Sequence, residues 1–162
     1  MALTVGDRAP RFALYDQDRT KRTLEEFLGQ PVVLAFFPGA FTGVCDTEMC
    51  TLRDSMHRFS EANARVIGIS VDPPFVLKEF AAKYSLPFVL LSDYTREVSQ
   101  QYGVLFENLA GLEGYNTSNR AVFILDADGV IRYMWTATPT PAVEPPYDEV
   151  IAQTRALTST GT

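Results

Sequence analysis

The chain has 162 residues, 46% of them hydrophobic and 21% charged, so a single domain spanning residues 1–162 with a genuine buried core is expected. With 14 basic against 20 acidic residues the formal charge is −6, and no run of Lys or Arg offsets it, so nucleic acid is not an expected partner. Met1 to Pro10 lacks a basic start followed by an apolar stretch, and no segment approaches the roughly 18 apolar residues of a span; a cytoplasmic protein without membrane attachment is expected.

Val32 to Phe37 is a continuous apolar run ended by Pro38-Gly39, which predicts a buried strand. Thr42 to Glu61 predicts a helix, with Cys45, Met49, Leu52, Met56 and Phe59 on one apolar stripe. Arg65 to Val71 predicts another strand. Pro73-Pro74 then starts a helix whose Val76, Leu77, Phe80 and Tyr84 face inward. Pro87 to Leu91 reads as a strand and Arg96 to Tyr102 as a short helix closed by Gly103. Asn116-Thr117-Ser118 fits the glycosylation pattern but carries no weight without a secretion signal. Ala121 to Leu125 and Val130 to Trp135 flank Asp126-Ala127-Asp128-Gly129, a hairpin turn. Thr138 to Pro146 is proline-rich and irregular, and Tyr147 to Leu157 closes the chain as a helix. Strand–helix alternation followed by a hairpin predicts a three-layer α/β domain with a central mixed sheet flanked by helices.

Two cysteines are too few for a disulfide framework, and they stand only five residues apart at Cys45 and Cys50. If Thr42 is the N-cap, Cys45 lies in the first helical turn, where unpaired N–H groups and the dipole favour a thiolate. Only the thiolate is a competent nucleophile. The alternative is a small core residue that continues the Met49/Leu52 stripe. Five residues on an ideal helix turn through about 140° and separate two Cα atoms by ~8.7 Å, beyond the ~7 Å limit for a disulfide. Cys45 therefore points inward, whereas Cys50 shares a face with Arg53, Asp54 and His57, toward solvent. Oxidation of the pair requires the first turn to unwind; alternatively, Cys50 is an incidental thiol.

The pattern Pro38-x-x-x-Thr42-x-x-Cys45, with Arg120 just ahead of Ala121-Val122-Phe123-Ile124-Leu125, resembles the peroxiredoxin active site. The resemblance extends from Gly6-Asp7-Arg8-Ala9-Pro10-Arg11-Phe12 to the last helix. It implies a thioredoxin-like fold and reduction of hydrogen peroxide and organic hydroperoxides. It also implies no metal or bound organic cofactor, recycling by a thioredoxin-like or other thiol reductant, and assembly as a monomer or a homodimer. The C-x-x-x-x-C spacing is similar to the bacterioferritin-comigratory-protein subgroup, which makes Cys45 the peroxidatic cysteine and Cys50 the resolving one.

The implied roles are chemically coherent. Arg120 would hold the thiolate and a peroxide oxygen, unless it is a surface arginine at the strand entrance. Thr42 would offer its hydroxyl to the peroxide, or cap the helix. Backbone N–H groups around Val44 and Cys45 add donors, and Pro38 would stiffen the loop and shield it from water. Asp46 and Glu48 suit the helix dipole yet oppose a nearby thiolate; the family's frequent acid at the Glu48 position would instead orient Arg120. Trp135 reads as a core residue or a neighbour of that arginine.

Three other readings compete. A thioredoxin-like disulfide oxidoreductase uses Cys-x-x-Cys, two residues closer than the pair here. A redox sensor or holdase would share the switch without turnover. A metal site from Cys45, Cys50 and His57 supplies three ligands where a closed zinc site wants four.

Overall fold

The structure is a computed structural model that describes residues 2–160. Among the described residues the strands are β1 (Ala13–Asp16), β2 (Lys21–Thr23), β3 (Val32–Phe36), β4 (Arg65–Ser70), β5 (Val89–Ser92), β6 (Leu105–Phe106), β7 (Thr117–Ser118), β8 (Ala121–Leu125) and β9 (Ile131–Thr136). The α-helices are α1 (Gly43–Asp54), α2 (Met56–Glu61), α3 (Pro74–Tyr84), α4 (Glu97–Gln101) and α5 (Tyr147–Thr160). Seven strands form one sheet in the order β2-β1-β5-β4-β3-β8-β9, and β6 pairs with β7. The pairs β3–β4 and β4–β5 are parallel and the others in the large sheet antiparallel, so the sheet is mixed, as expected.

The apolar run of β3 is continuous because both of its faces are covered. Val32, Leu34 and Phe36 join Ile67, Phe123, Val98 and Tyr102 on the α4 face. Val33, Ala35 and Phe37 face Met49 and Leu52 of α1, Leu77 and Phe80 of α3, and Val150 of α5. Three layers follow from that alternation. Gly68 at the middle of β4 lets the helical layer come close: an added Cβ would stand 2.7 Å from Leu90 Cδ2, 3.3 Å from Phe37 and 3.6 Å from Met49 Sδ.

Several boundaries depart from the expected ones. The helix expected from Thr42 to Glu61 is two, α1 and α2, broken at Ser55 (φ −100°, ψ 2°). Ser55 N–H reaches both the Thr51 and Leu52 carbonyls, a tightened last turn. The apolar stripe survives the break, since Met49, Leu52 and Phe59 are all buried. The expected strand from Pro87 begins at Val89, because Pro87 has no N–H for the ladder. The short β1 and β2 at the opposite end of the sheet from β9 went unpredicted. They lack a long apolar run and are fixed by the Asp16 carboxylate, which accepts from the N–H groups of Asp18 and Thr20. The hairpin formed as expected, with Gly129 at φ 87° between β8 and β9.

Candidate active site

Antiparallel pairing of β3 with β8 sets Phe36 opposite Ala121. Arg120, one residue before β8, therefore emerges beside the loop that carries the chain from β3 into α1. It is no surface arginine: its side chain is 2% exposed, and three of its nitrogens are committed. Nη2 donates to Cys45 Sγ at 3.1 Å, Nη1 to Glu48 Oε1 at 2.6 Å, and Nε to the Pro141 carbonyl at 2.7 Å. Its backbone is fixed as well, with N–H donating to Asn119 Oδ1 and its carbonyl accepting from Ala137. A planar guanidinium held at three points is a rigid fork, and its position is set before any substrate arrives.

Cys45 is fully buried in the first turn of α1, and Glu48, three residues on, is buried beside it. Burial pushes the Cys45 thiol up, and the Arg120 guanidinium, the Thr42 hydroxyl and the Gly39 backbone act against that rise. The helix start is expected to favour a thiolate, but sequence spacing carries no measure of burial, and burial sets the net direction upward. Thiolate formation therefore leans on Arg120. Burial likewise pushes the Glu48 carboxyl up, to about 7, with Arg120 opposing and Glu144 adding to the rise. Glu48 Oε2 is buried without a hydrogen-bond partner. Glu48 thus holds Arg120, while its own ionised form is disfavoured.

Thr42 stands at the N-cap position of α1 but makes no side-chain cap bond. Its hydroxyl donates to the Gly39 carbonyl at 2.8 Å and lies close enough to the Cys45 thiol to favour its ionisation. A hydroxyl has one proton, so a bond donated to an oxygen or sulfur in the site means releasing Gly39. The loop ahead of α1 is pinned from β4: Asp72 Oδ2 accepts from Ala40 N–H and from the Ser70 hydroxyl, both at 2.7 Å. Burial raises the Asp72 carboxyl, and those two donors counter it. Asp72 was missed because an acid between a strand and Pro73-Pro74 looks like an ordinary turn residue. Only the parallel register of β3 and β4 brings it to Ala40. Phe41 adopts φ 63°, an uncommon conformation for a bulky residue, and stacks edge-on against Phe80 at 5.3 Å.

Pro38, Thr42, Val44, Phe106, Leu109 and Pro141 help line a cleft of about 510 Å³ that reaches Arg120. Its walls are mainly apolar, with Thr42, Asn108, Arg120 and Thr140 as the polar lining side chains. Cys50 sits in the same unbroken α1, half-buried rather than turned to solvent. Asp54 and His57 are exposed as expected. Among the described residues no group of three or more His, Cys, Asp or Glu is placed so that it could hold a metal ion. Trp135 is half-buried against the helical-face core, its expected core role.

Buried thiol, cation and apolar cleft together suit attack of sulfur on a polarised O–O bond. Comparisons with known proteins agree. Residues 5–134 match the model of the AhpC/TSA family. Peroxiredoxin Bcp of Escherichia coli (strain K12) is 41% identical over 133 residues, 82% of this chain and 85% of that protein. Chloroplastic peroxiredoxin Q of Oryza sativa subsp. japonica is 42% identical over 130 residues, 80% of this chain and 58% of its own length. The crystal structure of peroxidoxin BcpB from Mycobacterium tuberculosis superposes with a TM-score of 0.84 at 32% identity, covering 96% of this chain and 98% of that one. The expected thioredoxin-like architecture is shared with these structures.

Proposed function

The chain belongs to the AhpC/TSA family and is a thiol-dependent peroxidase of the peroxiredoxin kind, and from that premise we propose that Cys45 is its peroxidatic nucleophile and Cys50 its resolving thiol. The observation that carries the assignment is the 3.1 Å bond from Arg120 to a fully buried Cys45 sulfur.

In this cycle the Cys45 thiolate attacks one peroxide oxygen and the O–O bond breaks. Sulfur takes that oxygen as a sulfenic acid, and the departing oxygen takes a proton to leave as water or an alcohol. Arg120 stabilises the thiolate and the charge that develops on the departing oxygen. The Thr42 hydroxyl and the first-turn N–H groups add donors, and Pro38 walls the site. The Cys50 thiolate next displaces hydroxide from the Cys45 sulfur, forming the disulfide and, with a proton, water. An external dithiol then reduces that bond. Both cysteines lie on the unbroken α1, about 8.7 Å apart on ideal geometry, so resolution requires the first turn to unwind.

The apolar cleft supports organic hydroperoxides as substrates beside hydrogen peroxide. Exposed Phe41, Leu112 and Val143 each adjoin a residue that lines this cleft. An apolar rim of this kind suits a homodimer packed near the mouth. Free thiols recycled by a thiol donor belong in a reducing compartment, which for this chain we take to be the cytoplasm.

Cys50→Ser tests the cycle. Intact mass after one equivalent of peroxide should show loss of two hydrogens in the unaltered protein and gain of one oxygen in the variant. Normal turnover of the variant with a thioredoxin-type donor would overturn the resolving role.

A further inference from the structure

The last residue of α3 fastens α1 on both sides of Cys50. Four residues before Cys50, Asp46 Oδ2 accepts a hydrogen bond from the Tyr84 hydroxyl at 2.5 Å. Three residues after Cys50, Arg53 Nη1 donates to the Tyr84 carbonyl at 2.6 Å. The Tyr84 ring stands edge-on to the buried Phe80 at 5.4 Å, so its hydroxyl projects from a fixed platform. Phe80 also carries Phe41, the residue two before α1, at 5.3 Å. Cys50 lies close enough to Tyr84 and Arg53 to act on the ionisation of both.

We propose that the Tyr84–Asp46 hydrogen bond is a latch that keeps the first turn of α1 wound and so sets how fast Cys50 reaches an oxidised Cys45. This rests on the reading of Cys50 as the resolving thiol. The Arg53 bond anchors the helix beyond Cys50, so unwinding is confined to the turn that carries Cys45. Asp46 adjoins Cys45 directly, and its backbone N–H donates to Thr42 in the same turn; the turn cannot open while its side chain stays bound. The latch is nevertheless releasable. Asp46 Oδ1 is buried without a hydrogen-bond partner, so the wound turn carries a desolvation penalty that opening relieves.

Two fates of the Cys45 sulfenic acid diverge at this latch. With the turn open, the Cys50 thiolate attacks the Cys45 sulfur, the S–S bond forms, and hydroxide leaves to become water. With the turn closed, a second hydroperoxide molecule delivers another oxygen to the same sulfur, giving sulfinic acid and a second water or alcohol. Tyr84 is thus a positioning residue for resolution rather than for the first oxidation.

Tyr84→Phe keeps the ring on Phe80 and removes only the hydroxyl. Rapid quench and intact mass spectrometry after one equivalent of hydrogen peroxide should show disulfide forming about tenfold faster, the scale of losing one hydrogen bond to a charged group. Excess peroxide should yield correspondingly less sulfinic acid, while the first oxidation of Cys45 keeps its rate. Asp46→Asn, which retains only a neutral acceptor for the tyrosine hydroxyl, should fall between the unaltered protein and Tyr84→Phe. Asp46→Ala should match Tyr84→Phe, and the double variant should be no faster than either. Unchanged or slower disulfide formation in Tyr84→Phe would overturn the latch. Absence of a Cys45–Cys50 disulfide in the unaltered protein would instead overturn the resolving role on which the latch depends.

Discussion

Two of the buried polar clusters among the described residues are built on opposite plans. Near the start of α4, Asp93, Ser99 and Ser118 are all buried. The Asp93 carboxylate accepts from the N–H groups of Val98 and Ser99 and from the Ser99 hydroxyl, which also bonds the Ser118 hydroxyl at 2.6 Å. Both carboxylate oxygens are used. At the other cluster, Cys45, Glu48 and Arg120 are as deeply buried, yet Glu48 Oε2 has no partner and burial pushes both the thiol and the carboxyl upward. A satisfied cluster fixes backbone; an under-satisfied one keeps groups near ionisation changes, which is what redox chemistry at a thiol needs.

The contrast breaks most sharply at the cation. Arg120→Ala should slow Cys45 oxidation by ~10²- to 10³-fold, the scale of removing a preorganised donor from a developing charge. Stopped-flow peroxide consumption measures the rate, and the pH dependence of iodoacetamide labelling should show the Cys45 pKa raised further. An unchanged rate would make Arg120 as structural as Ser99.

Glu48→Gln comes next. A carboxyl whose folded pKa is raised from 4.5 to about 7 binds its proton more tightly folded than unfolded. Its contribution is therefore most favourable below about 4.5 and is lost as pH rises through about 7. At about 1.4 kcal/mol per pKa unit that loss is roughly 3 kcal/mol. The glutamine variant should lack it, so urea unfolding at pH 5 and pH 8 should differ less in the variant than in the unaltered protein. Equal pH dependence in the two would mean that Glu48 titrates normally.

The smallest effect belongs to the satisfied cluster. Ser99→Ala leaves Asp93 and Ser118 short of a partner and should destabilise the fold by about 1–3 kcal/mol, read by denaturant unfolding. Cys45 should oxidise at its former rate, since the cluster does not touch the site.

How far the sequence reached follows from the range of each interaction. Pro38, Thr42 and Cys45 are joined by a strand end and a helix start, so spacing alone placed them together. Arg120 is 75 residues from Cys45, and a family resemblance, not any local pattern, singled it out. Its burial, the paired Glu48 and the raised thiol pKa depend on how tightly α1 packs on β3, which composition does not express. Asp72 and Tyr84 reach α1 and its loop across the fold, from the end of β4 and the end of α3, and nothing in their immediate sequence marks them. The break at Ser55 was invisible because the apolar stripe continues across it.

The central claim is that one buried sulfur performs the first chemical step. Cys45→Ser, mixed with hydrogen peroxide and excess dithiol in a stopped-flow instrument, tests it most directly. The account predicts peroxide consumption no faster than the dithiol alone, with Cys50 left as a free thiol. Consumption within about tenfold of the unaltered rate, a barrier difference of only about 1.4 kcal/mol, would place the nucleophile elsewhere.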